Sequence, residues 1–143
     1  MTWTRGLLTA LAEHLHAAGV GVWRPVGPPY TSGETAIMLT RLPISPDRAI
    51  ALAAYGADSD DPTTTDGVQG VQLRVRGTTD PTVVDDIADA AFDALQGWQF
   101  PAAGILLATR KLQAPLGTDG SGRWERADSY TLLVHRPTSL RPG

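Results

Sequence analysis

The stretch GVQLRVRGTTDPTVVDDIADAAFDALQGW, residues 70–98, holds a strand, a turn and a helix in succession. In its first part Val71, Leu73 and Val75 alternate with Gln72, Arg74 and Arg76. That period of two belongs to a half-buried strand, expected over Val68–Arg76. After Gly-Thr-Thr, Asp80 suits a helix N-cap and Pro81 the first helical position. Val84, Ile87, Ala88, Ala91, Phe92 and Leu95 then recur at helical spacing, and Gly97 ends the run. Asp85, Asp86, Asp89 and Asp93 lie toward the other side and read as a solvated face. The first two also sit where the helix dipole favours negative charge.

Upstream, Trp3, Leu7, Leu8, Leu11, Leu15 and Ala18 form one face of an opening helix that stops at Gly19. Val20–Arg24 reads as a short strand. RPVGPPYTSGE, residues 24–34, is a loop by its prolines and glycines. Thr35–Leu42 reads as a strand, and PISPD at 43–47 as a turn. Arg48–Tyr55 is alanine-rich and ambiguous by itself; its neighbours favour a strand. Downstream, Ile105–Gln113 and Arg123–Arg136 read as strands, with PLGTDGSG (115–122) as the loop between them. The tail from about residue 137 reads as irregular and mobile.

This order predicts one domain over 1–143: an α+β fold with an antiparallel or mixed sheet of about five to six strands and two helices packed on one face. With 42% hydrophobic and 19% charged residues the chain suits a globular protein. The absence of cysteine excludes disulfides, thiol catalysis and zinc–thiolate sites. A net charge of −3 and the lack of a basic run argue against nucleic-acid binding. The N-terminus lacks the continuous apolar run of a signal peptide, and no segment approaches membrane-span length, so the reading is a soluble protein made in the cytoplasm.

DSDDPTTTDG, residues 58–67, sets four aspartates among three threonines, a proline and a glycine. A calcium loop of EF-hand type begun at Asp58 would place Thr63 at its glycine position and Gln69 at its closing acid, so that pattern fails. A solvated loop between strands is the plainer reading. His14 and His16 point to different faces of one helix, and His14 reads as a packed or edge histidine. His135 has no evident acidic partner. Ser121 lies in a hairpin tip, not in a GxSxG elbow. GVGVW lacks the remaining glycine of a dinucleotide fingerprint, and there is no P-loop. No cofactor or metal is expected. The acids of the second helix lack the sign of a cleft that paired catalytic carboxylates require. Tryptophan is enriched at interface hot spots, and Trp98 and Trp124, beside Trp3 and Trp23, are the candidate anchors.

The arginine-bearing strand, the Gly-Thr-Thr-Asp-Pro turn, the Ala/Asp-rich helix and the closing Leu-Gln-Gly-Trp of residues 70–98 resemble the tail terminators of long-tailed bacteriophages, often labelled minor capsid proteins. LLTALAEHLHAAGVGVW at 7–23 and ALAAYG at 51–56 fit in the same order. The resemblance covers most of residues 5–136. It implies a non-enzymatic α+β subunit of the virion, made in the host cytoplasm. The subunit would form a ring, usually of six, that caps the head-proximal end of the tail tube. Its partners would be further copies of itself, the tail tube protein and a head completion or connector protein, with DNA passing through unbound. On this reading the loops 58–67 and 115–122 reach a neighbour, the tube or the lumen. Asp58, Asp60, Asp61 and Asp66 would project into the ring or onto an axial partner, an acidic lining that repels DNA phosphates. The alternatives are another head–tail joining protein, or a small α+β enzyme or ligand-binding domain built around a polar pocket.

Overall fold

The computed structural model describes residues 2–143. Two helices and six strands follow in the order α1 (Trp3–Ala17), β1 (Val22–Trp23), β2 (Ala36–Leu39), β3 (Ala49–Tyr55), β4 (Asp66–Arg76), α2 (Pro81–Leu95), β5 (Ile105–Thr118) and β6 (Trp124–His135). A short 3-10 turn at Pro101–Ala103 precedes β5. The sheet order is β1-β2-β3-β4-β6-β5. β1 and β2 pair in parallel, as do β2 and β3, and the remaining pairs are antiparallel. The sheet is therefore mixed, and the expected α+β fold stands.

α2 begins as its sequence demands. Asp80 accepts a bond from the Thr82 N–H at 3.0 Å, and Pro81 occupies the first turn. Gly19 and Gly97, just past the two helices, take φ of 78° and 80°, the left-handed conformation that glycine adopts without strain. Both helices lie on one face of the sheet. Leu11 and Leu15 of α1 and Ala91 and Leu95 of α2 join Ile50, Leu52, Val71, Leu73, Tyr130 and Leu132 in one buried core. The alanine-rich segment is strand β3. Wedged between β2 and β4, Ala49, Ile50 and Leu52 are wholly buried, and packing overrides the weak strand preference of alanine.

Two boundaries differ most from the sequence reading. The strand expected over Thr35–Leu42 covers only Ala36–Leu39, because Thr40 takes φ of 75°, which a pleat cannot continue. The 115–122 loop is mostly strand. β5 runs on to Thr118, past Pro115, which an edge strand tolerates because its outer side needs no N–H donor. β5 accommodates the extra length through three register shifts against β6. The tail beyond residue 136 is exposed and holds one tight turn, a Thr138–Arg141 bridge.

Candidate assembly surfaces

The antiparallel pairing of β4 with β6 sets the geometry of every candidate residue. Asp66 pairs with His135 at one end of this ladder and Arg76 with Glu125 at the other. At about 3.3 Å per residue the two ends lie roughly 35 Å apart. The acidic loop sits at the first end and the β5–β6 hairpin tip at the second. The two loops named together from sequence thus occupy opposite ends of the domain.

At the first end Asp58, Asp60, Asp61 and Asp66 are all exposed. The threonines fold the loop onto itself. The carboxylate of Asp61 accepts from the N–H and the hydroxyl of Thr63 at 2.8 and 2.6 Å, and these bonds hold its pKa below the usual carboxylate value. The Asp66 N–H donates to the Thr64 hydroxyl at 3.1 Å. His135, which had no evident partner in sequence, has one here: its Nδ1 lies 2.8 Å from an Asp66 carboxylate oxygen and 3.2 Å from the Thr65 hydroxyl. Only strand pairing reveals this, since the two residues are 69 positions apart. The Arg136 guanidinium stacks over Trp3 at 4.2 Å. Between loop and tail lies a cleft of about 520 Å³, lined in part by Asp60, Asp61, Arg136 and Arg141. Its acids and bases face solvent, and among the described residues no cluster of three or more His, Asp or Glu is placed to hold a metal.

At the second end Trp124 is 37% exposed, and Leu116 and Ile44 are 46% and 91% exposed. The Gly77 N–H donates to the Trp124 carbonyl at 2.9 Å, and the Trp124 N–H donates to the Thr78 carbonyl at 3.1 Å. These bonds tie the hairpin to the turn that launches α2. Arg123 reaches across to the Ile44 carbonyl at 2.8 Å and so holds the β2–β3 loop beside the hairpin.

Trp98 lies on the helix layer beside the start of β5, toward the Asp66–His135 end: its carbonyl accepts the Ala108 N–H at 3.0 Å, and Ala108 pairs with Leu132. The half-buried Trp98 ring stacks on His14 with centroids 4.0 Å apart and planes 10° from parallel, and Phe100 follows at 5.8 Å. His14 donates from Nε2 to the Ala94 carbonyl at 2.7 Å, so it is the packed histidine expected. His16 instead accepts the Trp23 N–H at Nδ1, at 2.9 Å. The structure therefore separates the six candidate residues into three regions: four aspartates at one end, Trp124 at the other, and Trp98 on the helix layer.

The helix-face acids need correction. Asp85 and Asp89 are not merely solvated: Arg126, buried on β6, reaches them at 3.0 and 3.7 Å. Arg126 also forks onto Asp128, at 2.8 and 2.9 Å, and donates to Gln113 at 3.0 Å. The pairing with Asp128 above all, then with Asp85, raises the arginine pKa further above its ordinary value. Tyr130 is pushed up to about 12 by burial, with the Asp128 charge adding to it. Arg76, expected on the open side of β4, is buried there and donates to the Asp47 and Pro46 carbonyls at 2.8 and 2.7 Å.

These features define a small α+β domain whose polar groups are used to brace strands and loops, with its exposed apolar groups set at separate surfaces. Residues 14–136 match the family described as bacteriophage tail terminator protein, and the chain belongs to that family. It is a structural protein of the virion tail. The fold is shared with a chain of the virion of a native gene transfer agent particle, at 17% identity and a TM-score of 0.64, over 90% of this chain and 93% of that one. No curated protein sequence gives a significant match. Among the described residues no helix is long and apolar enough to cross a membrane.

Proposed function

We propose that the chain forms a closed ring of about six copies on the head-proximal end of the tail tube, where it stops tube growth and meets the head connector, without catalysing a reaction. The observation that carries this reading is the opposition of the two loop-bearing ends. A subunit with an acidic loop at one end and exposed Trp124, Leu116 and Ile44 at the other, roughly 35 Å apart, can meet two unlike axial partners at once. In this arrangement the aspartates of 58–67 face the DNA path or an axial partner, and their charge keeps the phosphate backbone from adhering. Trp124, with Ile44 and Leu116, anchors the opposite contact.

The reading is tested by particles that lack the protein. Tubes of uncontrolled length, restored to one length by adding purified protein, are the expected result. Tubes of normal length in its absence would remove the terminator role. Replacing Asp58, Asp60, Asp61 and Asp66 together with asparagine is expected to impair tail joining or DNA passage while leaving the fold intact. Unchanged infectivity would return the loop to plain solvated surface.

A further inference from the structure

Two surfaces with exposed apolar side chains, on opposite sides of the domain, remain unpartnered. The first is the sheet face away from the helices. Cross-strand partners share a face, so Met38, Tyr55, Val68, Leu107, Leu112 and Leu133 lie on this side. Leu112 is 61% exposed and Leu133 44%. The solvated face of an antiparallel sheet ordinarily alternates to polar residues. Here Gln72, Thr109, Ser129 and Thr131 lie among them as polar but uncharged side chains; the charge at paired positions in the middle of the face is the Arg74–Glu125 bridge, at 2.7 Å, and Arg76, turned onto backbone carbonyls, with Lys111 exposed at the register shift beside Leu112. The second surface is a groove of about 600 Å³ on the outer side of α1, with small residues Gly6, Ala10 and Ala17 as its floor and Trp98 and Phe100 as its wall.

We propose that the open sheet face of one copy packs on the α1 groove of the next, a head-to-tail contact that repeats around the ring; this rests on the ring reading above. The occupant is argued from area and charge. The face spans roughly 35 Å by 25 Å, about the 800 Å² per partner of a standard stable interface. The neighbour's α1 presents the aromatic groove with Glu13 at its rim, and Glu13 complements Arg74, whose side chain is still 52% exposed. Each contact uses one surface of each kind, so every added copy offers the same two surfaces again, as a closing ring requires. Stacking through the layers also leaves both loop-bearing ends free.

The test uses the full chain and two variants at exposed or half-exposed positions, Leu133→Arg and Ala10→Arg, read by native mass spectrometry and on purified tail tubes, with circular dichroism to check the fold. Each variant alone is expected to lose association by about 100-fold or more, the effect of a charge placed in an interface core. Mixed in equal amounts they are expected to form a heterodimer and nothing larger, because the pair retains one intact face and one intact groove. If Ala10→Arg forms a homodimer, the sheet faces pair with each other and the proposal falls. If both variants still close a ring, the ring stands and this interface is wrong. If the unaltered chain stays monomeric both free and on tubes, the ring reading fails and takes this inference with it.

Discussion

Replacing Arg126 with methionine tests how the sheet and α2 are held together. The guanidinium makes two bonds to Asp128 and one each to Asp85 and Gln113. Asp128 is 1% exposed, and without Arg126 its nearest cation is Arg110 at 3.6 Å. Asp85 and Asp89 keep 62% and 72% of their side-chain exposure, so water replaces the lost partner at little cost. The penalty falls on Asp128, left charged and buried, and such a loss costs about 3–5 kcal/mol. For a chain of this size that lowers Tm by about 10–15 °C. Urea denaturation of the monomer, at a concentration below self-association, measures it. Replacing Asp128 with leucine as well removes the stranded charge, and the double variant is expected to recover to within about 1–2 kcal/mol of the unaltered chain. A single variant that loses less than about 1 kcal/mol would refute the reasoning. A double variant as unstable as the single one would show that packing volume, not the stranded charge, sets the cost.

Three further outcomes are expected. Glu34 is held at about 2, below its ordinary 4.5, by Arg24 and then by the Thr31 N–H. Its folded pKa is depressed, so this contribution is complete above about pH 4.5 and is lost as pH falls toward 2. Glu34→Gln should flatten the acid limb of a stability–pH curve, and an unchanged limb would contradict the pairing. Gly77→Ala would place a methyl 2.6 Å from the Val84 backbone nitrogen, and helix backbone yields poorly. A loss of about 2 kcal/mol or more is expected in thermal melts, and a variant as stable as the parent would show that α2 shifts freely. Asp80→Ala removes the cap of the same helix and should cost about 1 kcal/mol; no change would mean that another group takes up the N–H.

Residues 70–98 show why part of the architecture was legible from sequence. A period of two, a helical period, a capping aspartate and a terminal glycine are all local, and each acts within a few residues of chain. The strand, the turn and α2 therefore stand within two residues of their expected bounds. The same logic identified α1. Where local signals conflicted with packing, boundaries moved: Pro115 suggested a loop, but an edge strand has no use for its missing donor.

The candidate residues were legible as types and not as places. The sequence showed an acidic loop and spare tryptophans, because composition and turn chemistry are written in order along the chain. It could not show that β6 inserts between β4 and β5, and that insertion decides everything that spans the chain. It brings Asp66 to His135, gathers Asp85, Asp89 and Asp128 around Arg126, and sends the two loops to opposite ends. It also leaves one sheet face bare. Pairing between distant strands is chosen by the burial of the whole core, a sum over contacts no single segment contains. The local elements were thus fixed by neighbours in sequence, and the make-up of the exposed surfaces by neighbours in space.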